Sequence, residues 1–117
     1  MTPEPELEEL IYDHLAEENP EAFDGLSDQQ VQSRIRLGLR RARSHRLDTD
    51  GAAVAFVSLM FLVAPDFDRH PGIRRALANA ALPADDRIKA LFTATTEDDW
   101  AEAAGNTAGW ESLDVES

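Results

Sequence analysis

Asp66-Phe67-Asp68-Arg69-His70 sets two carboxylates and an imidazole at alternate positions of a short segment bounded by Pro65 and Pro71. Oxygen and nitrogen donors of this kind suit a divalent cation, and Asp66, Asp68 and His70 are the residues that would ligate one. A mononuclear site would still need ligands from elsewhere in the chain, and the cationic Arg69 stands between two of the three. The competing reading is a turn, in which Asp66 or Asp68 accepts backbone N–H bonds ahead of Pro71 while Phe67 enters the core. The residues favour the turn, and no metal or other cofactor is expected. Asp48-Thr49-Asp50-Gly51 opens like a calcium loop, but its twelfth position is Leu59, where such a loop requires a bidentate glutamate.

A second concentration of chemistry lies just upstream. Arg34, Arg36, Arg40, Arg41, Arg43 and Arg46 fall within thirteen residues, and on a helix Arg36, Arg40 and Arg43 share one face. Clustered guanidinium groups attract phosphate, but no aromatic residue is interleaved with them, and the chain as a whole carries a formal charge of −12. That field disfavours nucleic acid. The expected counterparts are acidic groups, either Glu8, Glu9, Glu17 or Glu18 of this chain or those of a protein partner. Trp110 and Leu113, at i and i+3 in an acidic tail, are further candidate partner contacts, because tryptophan is costly to leave in water and is enriched at binding hot spots. Burial of Trp110 against the domain is the equally weighted alternative.

Support for catalysis is thin. The sequence has no glycine-rich phosphate loop, nucleophile elbow or His-Glu-x-x-His helix, so no catalytic residues are assigned and no enzyme is expected, a metal-dependent enzyme using Asp66, Asp68 and His70 being the less favoured alternative. His14 is expected to be a partly buried structural histidine. Asp85-Asp86 and Asp98-Asp99 fall in first helical turns, where carboxylates oppose the helix dipole.

The elements that would position these residues all read as helices. Leu7, Leu10, Ile11, His14 and Leu15 recur at helical spacing over 5–18, with Pro5 in the first turn and Asn19-Pro20 as the stop. Phe23 and Leu26 in the following connector should pack down as a lid. Ser27 with Gln30 forms a capping-box pattern that opens a second helix to about 46, with a stripe of Val31, Ile35, Leu39 and Ala42, and with Leu37 set aside. The third helix, 50–63, is apolar on every side and must be surrounded by other elements. Ala52, Ala53 and Ala55 would permit close approach at one end of it, and Phe56, Leu59, Met60, Phe61 and Leu62 supply bulk. Pro71 and Pro83 start a fourth helix (about 71–81) and a fifth, whose buried face is Ile88, Leu91 and Phe92. Thr96 with Asp99 caps a sixth that carries Trp100 and ends near Gly105. The predicted fold is all-α: an orthogonal bundle of five or six helices around 50–63, forming one domain over 1–105, followed by the acidic tail 106–117.

The totals agree with a single domain. At 117 residues the chain can bury one core without disulfides, and it has no cysteine. Its longest apolar run, 52–64, broken only by Ser58, would span roughly 20 Å as a helix, short of the ~30 Å bilayer core, so no membrane span is expected. The N-terminus is acidic and does not read as a signal peptide, which leaves the cytoplasm as the default location. Charge is unevenly sorted. Residues 1–33 carry ten acids and no Lys or Arg, 34–96 carry all eleven bases against six acids, and 97–117 carry seven acids and no base.

The stretch VAFVSLMFLVAPDFDRHPGIRRAL at 54–77, with LPADDRIKALF at 82–92 and DDW at 98–100, resembles small helical proteins of Gram-negative bacteria encoded beside type VI secretion effectors and their spike components. The resemblance spans about 31–104 and rests on core and turn residues. It implies an accessory role: chaperone, co-chaperone or loading adaptor for a secreted effector, or an immunity protein that occludes a toxin. The implied partner is then an effector or spike component, and the family supplies no catalytic residues.

Overall fold

Ala52, Phe56 and Met60 recur every four residues on one face of the third helix, and Ala53 and Val57 on the adjacent face. Both faces are covered, by different parts of the chain. The structure, a computed structural model, describes residues 3–79 and 81–105, apart from the side chains of Glu4 and Ala94. Its elements are α1 (Glu4–Glu18), a 3-10 turn (Pro20–Phe23), α2 (Asp28–Ser44), α3 (Asp50–Leu62), a second 3-10 turn (Phe67–Arg69), α4 (Pro71–Leu77), α5 (Ala84–Ala94) and α6 (Glu97–Gly105). There is no strand among the described residues. The all-α class holds, with α3 as the central post.

The core divides across that post. On one side Ala53 and Val57 pack with Ile11 and Leu15 of α1 and Val31, Ile35 and Leu39 of α2, closed by Phe23 and Leu26 as the lid. On the other, Ala52, Phe56 and Met60 pack with Phe67, Ile73, Leu77, Ile88 and Leu91 from the later elements. Leu37 is buried in this second half and is not set aside. The second helix therefore buries two faces, and Gly38 lies where it crosses α3. A Cβ at Gly38 would stand 2.9 Å from Val57 Cγ2 and 3.2 Å from Met60 Sδ. Close approach of the helices depends on that glycine.

Caps fix the helix starts as the sequence implies. Ser27 Oγ accepts from the Gln30 amide at 3.2 Å, and Gln30 Oε1 accepts from the Ser27 amide at 2.9 Å. Thr96 and Asp99 make the same reciprocal pair ahead of α6. Thr49 caps α3 and also donates to Asp85 Oδ1 at 2.7 Å, tying the start of α3 to that of α5. At the end of α2, Leu47 N–H bonds Ala42 O and Arg46 N–H bonds Arg43 O. This is a Schellman ending in which Arg46, at φ 59°, holds the left-handed position usually given to glycine.

Six further expectations need correction. Leu10 is 49% exposed and His14 is also exposed, because the buried stripe of α1 is the narrow i, i+4 line of Leu7, Ile11 and Leu15. Phe61 is only partly buried, whereas Phe56 is fully enclosed. Leu62 is 48% exposed and adds no bulk to the interior. The fourth helix stops at Leu77 instead of about 81, since Asn79 Oδ1 takes the Ala81 amide and Asn79 O the Leu82 amide. Phe92 is 59% exposed, lying over Trp100 on the outer side of the domain.

Candidate functional site

The second 3-10 turn places Asp68 inward, 3% exposed, against the C-terminal turn of α2. Arg41 Nη2 donates to both carboxylate oxygens, at 2.6 and 2.8 Å, and His45 Nε2 lies 2.7 Å from Oδ2. An ionised carboxylate only accepts, so the ring proton of His45 sits on Nε2. Burial opposes the charge on Asp68. The hydrogen bonds from His45 and Arg41, with the Arg41 charge beside them, overcome that penalty and hold its pKa below the usual aspartate value. The turn reading of this segment is right in part: Phe67 is fully buried, as expected, but the Asp68 side chain binds two α2 side chains. The imidazole of His45 also packs on Phe56, which stacks through Phe67 and Trp100 to Phe92. The charged cluster is thus joined to the core by an unbroken line of rings.

Arg87, 8% exposed on α5, was not legible as a core residue. Its guanidinium donates to the carbonyls of His45, Arg46, Leu77 and Leu82 at 2.6 to 3.2 Å. His45 and Leu77 lie at the ends of α2 and α4, so one cation serves two helix C-termini, where negative dipole ends converge. The sequence signal was its place one residue before Ile88, on the edge of the apolar face of α5.

His70 does not join Asp66 and Asp68. It caps α4, with Nδ1 accepting from the Gly72 amide at 3.2 Å, while Nε2 faces Glu102 Oε2 at 3.0 Å and Asp99 Oδ1 at 3.8 Å. His70, Asp99 and Glu102 could all present ligand atoms to one ion. The cap argues against that use. Because Nδ1 accepts, the ring proton is on Nε2, directed at Glu102; a metal on Nε2 would move it to Nδ1, facing the Gly72 N–H. The Asp66-Asp68-His70 ligand set is overturned by this geometry, since Asp68 serves Arg41 and His45 instead.

The arginine face is divided. Arg36 pairs with Glu8 at 3.2 Å and is half exposed; Arg40 and Arg43 are exposed. Around the Arg36–Glu8 pair, Glu9, Tyr12, Asp13, Asp28 and Gln32 line an acidic groove between α1 and α2 of about 650 Å³. There Tyr12 donates to Asp28 at 2.8 Å, and that bond raises its phenol pKa above the usual value. Arg43 lies on the rim of a different groove, of about 400 Å³, walled by Pro3, Leu7, Leu39, Leu47 and Ala53 where α1, α2 and α3 meet. Its lining is mainly apolar. Trp110 and Leu113 fall outside the described residues. No helix among the described residues is long and apolar enough to cross a membrane.

Comparison with known protein families, with curated proteins and with solved structures finds no match to this chain.

Proposed function

We propose that this protein is a non-enzymatic binding protein, acting as a chaperone or loading adaptor that covers an apolar segment of a secreted bacterial effector. The observation that carries the reading is the apolar groove at the junction of α1, α2 and α3, with Arg43 on its rim and Asp48, Thr49 and Asp50 along its edge. An apolar cleft with a few polar groups at its border is the form that receives a side chain or short segment and orients it. The acidic groove between α1 and α2 supports the same reading, since a negative face speeds encounter with a basic partner. The groups with the most chemical potential are otherwise engaged. Asp68 holds Arg41 and His45, Arg87 holds four carbonyls, and His70 holds a helix cap. The resemblance of residues 31–104 to small proteins encoded beside type VI effectors supplies the setting.

Co-expression with the products of neighbouring genes tests the proposal. A chaperone or adaptor raises the soluble yield of an effector and co-purifies with it. An immunity protein, the second reading within the same class, restores viability to cells making the toxin without changing its yield. Neither effect with any neighbouring product would contradict both.

A further inference from the structure

The groups along the edge of the apolar groove differ in what they have left for a ligand. Thr49 is committed twice, donating to Asp85 at 2.7 Å and accepting from the Ala52 amide at 3.3 Å. Arg43 and Asp50 are each engaged by a neighbouring group. Asp48 is the exception: it lines the groove, is exposed, and makes no side-chain hydrogen bond or ion pair with a described residue. The local order of the chain explains this. Leu47 turns inward, 2% exposed, with its amide closing the end of α2 on Ala42 O, and Thr49 caps α3. Asp48 stands between them, claimed by neither the core nor a cap.

Its charge is not spent on the helix that follows. The positive end of α3 already has Asp50 in its first turn and Asp85 across Thr49. The rest of the lining is mainly apolar: Leu39, Leu47 and Ala53 are buried, and Pro3 and Leu7 supply the α1 wall. At about 400 Å³ the groove falls at the lower end of the ~300–1,000 Å³ that small ligands occupy, so it takes a short apolar stretch and not a whole helix face. Chain on either side of that stretch must cross the edge, and Asp48 is the charge it meets there that no internal partner satisfies.

Resting on the reading of this groove as a site for an apolar segment, we propose that the segment carries a lysine or arginine next to its apolar residue, and that Asp48 pairs with that cation and selects it. A rim pair of this kind adds more to selectivity than to affinity. The test uses two capped peptides, acetyl-Gly-Leu-Val-Lys-amide and acetyl-Gly-Leu-Val-Gln-amide, titrated into the isotope-labelled full chain at low ionic strength. Backbone amide shifts are followed at Leu39, Leu47 and Ala53. Saturable shifts with both peptides are expected, with the lysine peptide bound about three- to fivefold tighter. That difference should fall away in about 0.5 M sodium chloride. Asp48→Asn should remove it, and Asp48→Glu should retain it. Equal binding of the two peptides, or a preference that survives Asp48→Asn, would overturn the proposal while leaving the groove as an apolar site. Shifts with neither peptide would overturn both readings, as would groove shifts that follow protein concentration alone, which would mark a second copy as the occupant.

Discussion

One guanidinium nitrogen of Arg41 reaches both oxygens of Asp68, joining residues 27 positions apart across the end of α2 and the turn before α4. The folded-state pKa of Asp68 is lowered from 3.8, so its ionised form contributes stability that is present above that value and lost as pH falls through the folded one. The wild-type protein should therefore lose stability on acidification below about pH 4. Asp68→Asn leaves the half-buried Arg41 without the Asp68 charge, at a cost of about 2–3 kcal/mol near neutrality, below the ~3–5 kcal/mol of a fully buried pair. Urea melts across pH 2 to 7 check both points, through a lower midpoint at pH 7 and a flatter acid limb for the variant.

Phe56 stands at the centre of the ring line and is fully buried. Phe56→Ala should destabilise by about 3–5 kcal/mol. Phe61→Ala, at a partly exposed position against Phe23, should cost clearly less. Thermal melts of the two variants compare them directly, and the larger loss belongs to Phe56.

Gly38→Ala reverses the ordinary helix preference. Alanine is the better helix former by about 1 kcal/mol, but the new Cβ would meet Val57 Cγ2 at 2.9 Å, and valine has little freedom to turn away. The variant should be destabilised, by about 1–3 kcal/mol. Arg46→Gly should move the other way. Relief of the left-handed strain, about 1–2 kcal/mol, outweighs the added chain entropy of about 0.5–1 kcal/mol. Denaturant melts read the sign of each.

Arg87→Met removes the donor shared by four carbonyls while keeping much of the side-chain volume. Each lost charge-assisted bond contributes about 1.5–3 kcal/mol, and carbonyls that water can reach recover part of it. A net loss of about 3 kcal/mol or more is expected by chemical denaturation.

Much of the fold could be read from residue order because its signals are local. Ser27 with Gln30, Thr96 with Asp99, Pro71 and Pro83 mark helix starts by chemistry that acts within one turn. The apolar stretch 50–63 showed its central place because no other environment would tolerate it. The candidate site depended on distant residues. His45 attracted no attention because nothing near it in the chain shows that Asp68 will meet it. Arg87 carries no local sign of its role, since the carbonyls of His45, Arg46 and Leu77 that it satisfies lie at two other helix ends. Phe92 and Leu62 failed in the opposite sense: their spacing fits an apolar face, but both are left exposed among the described residues.

The central claim is that the groove lined by Pro3, Leu7, Leu39, Leu47 and Ala53 receives an apolar segment of an effector. The most direct measurement is calorimetric titration of the purified protein with the product of each neighbouring gene, repeated with Leu7→Gln and with Leu7→Met as the control that keeps an apolar wall. A saturable complex that Leu7→Met preserves and Leu7→Gln weakens, with both variants retaining the helical circular dichroism of the wild type, is the predicted result. Equal affinity for all three chains, or no binding by the wild type, would contradict it.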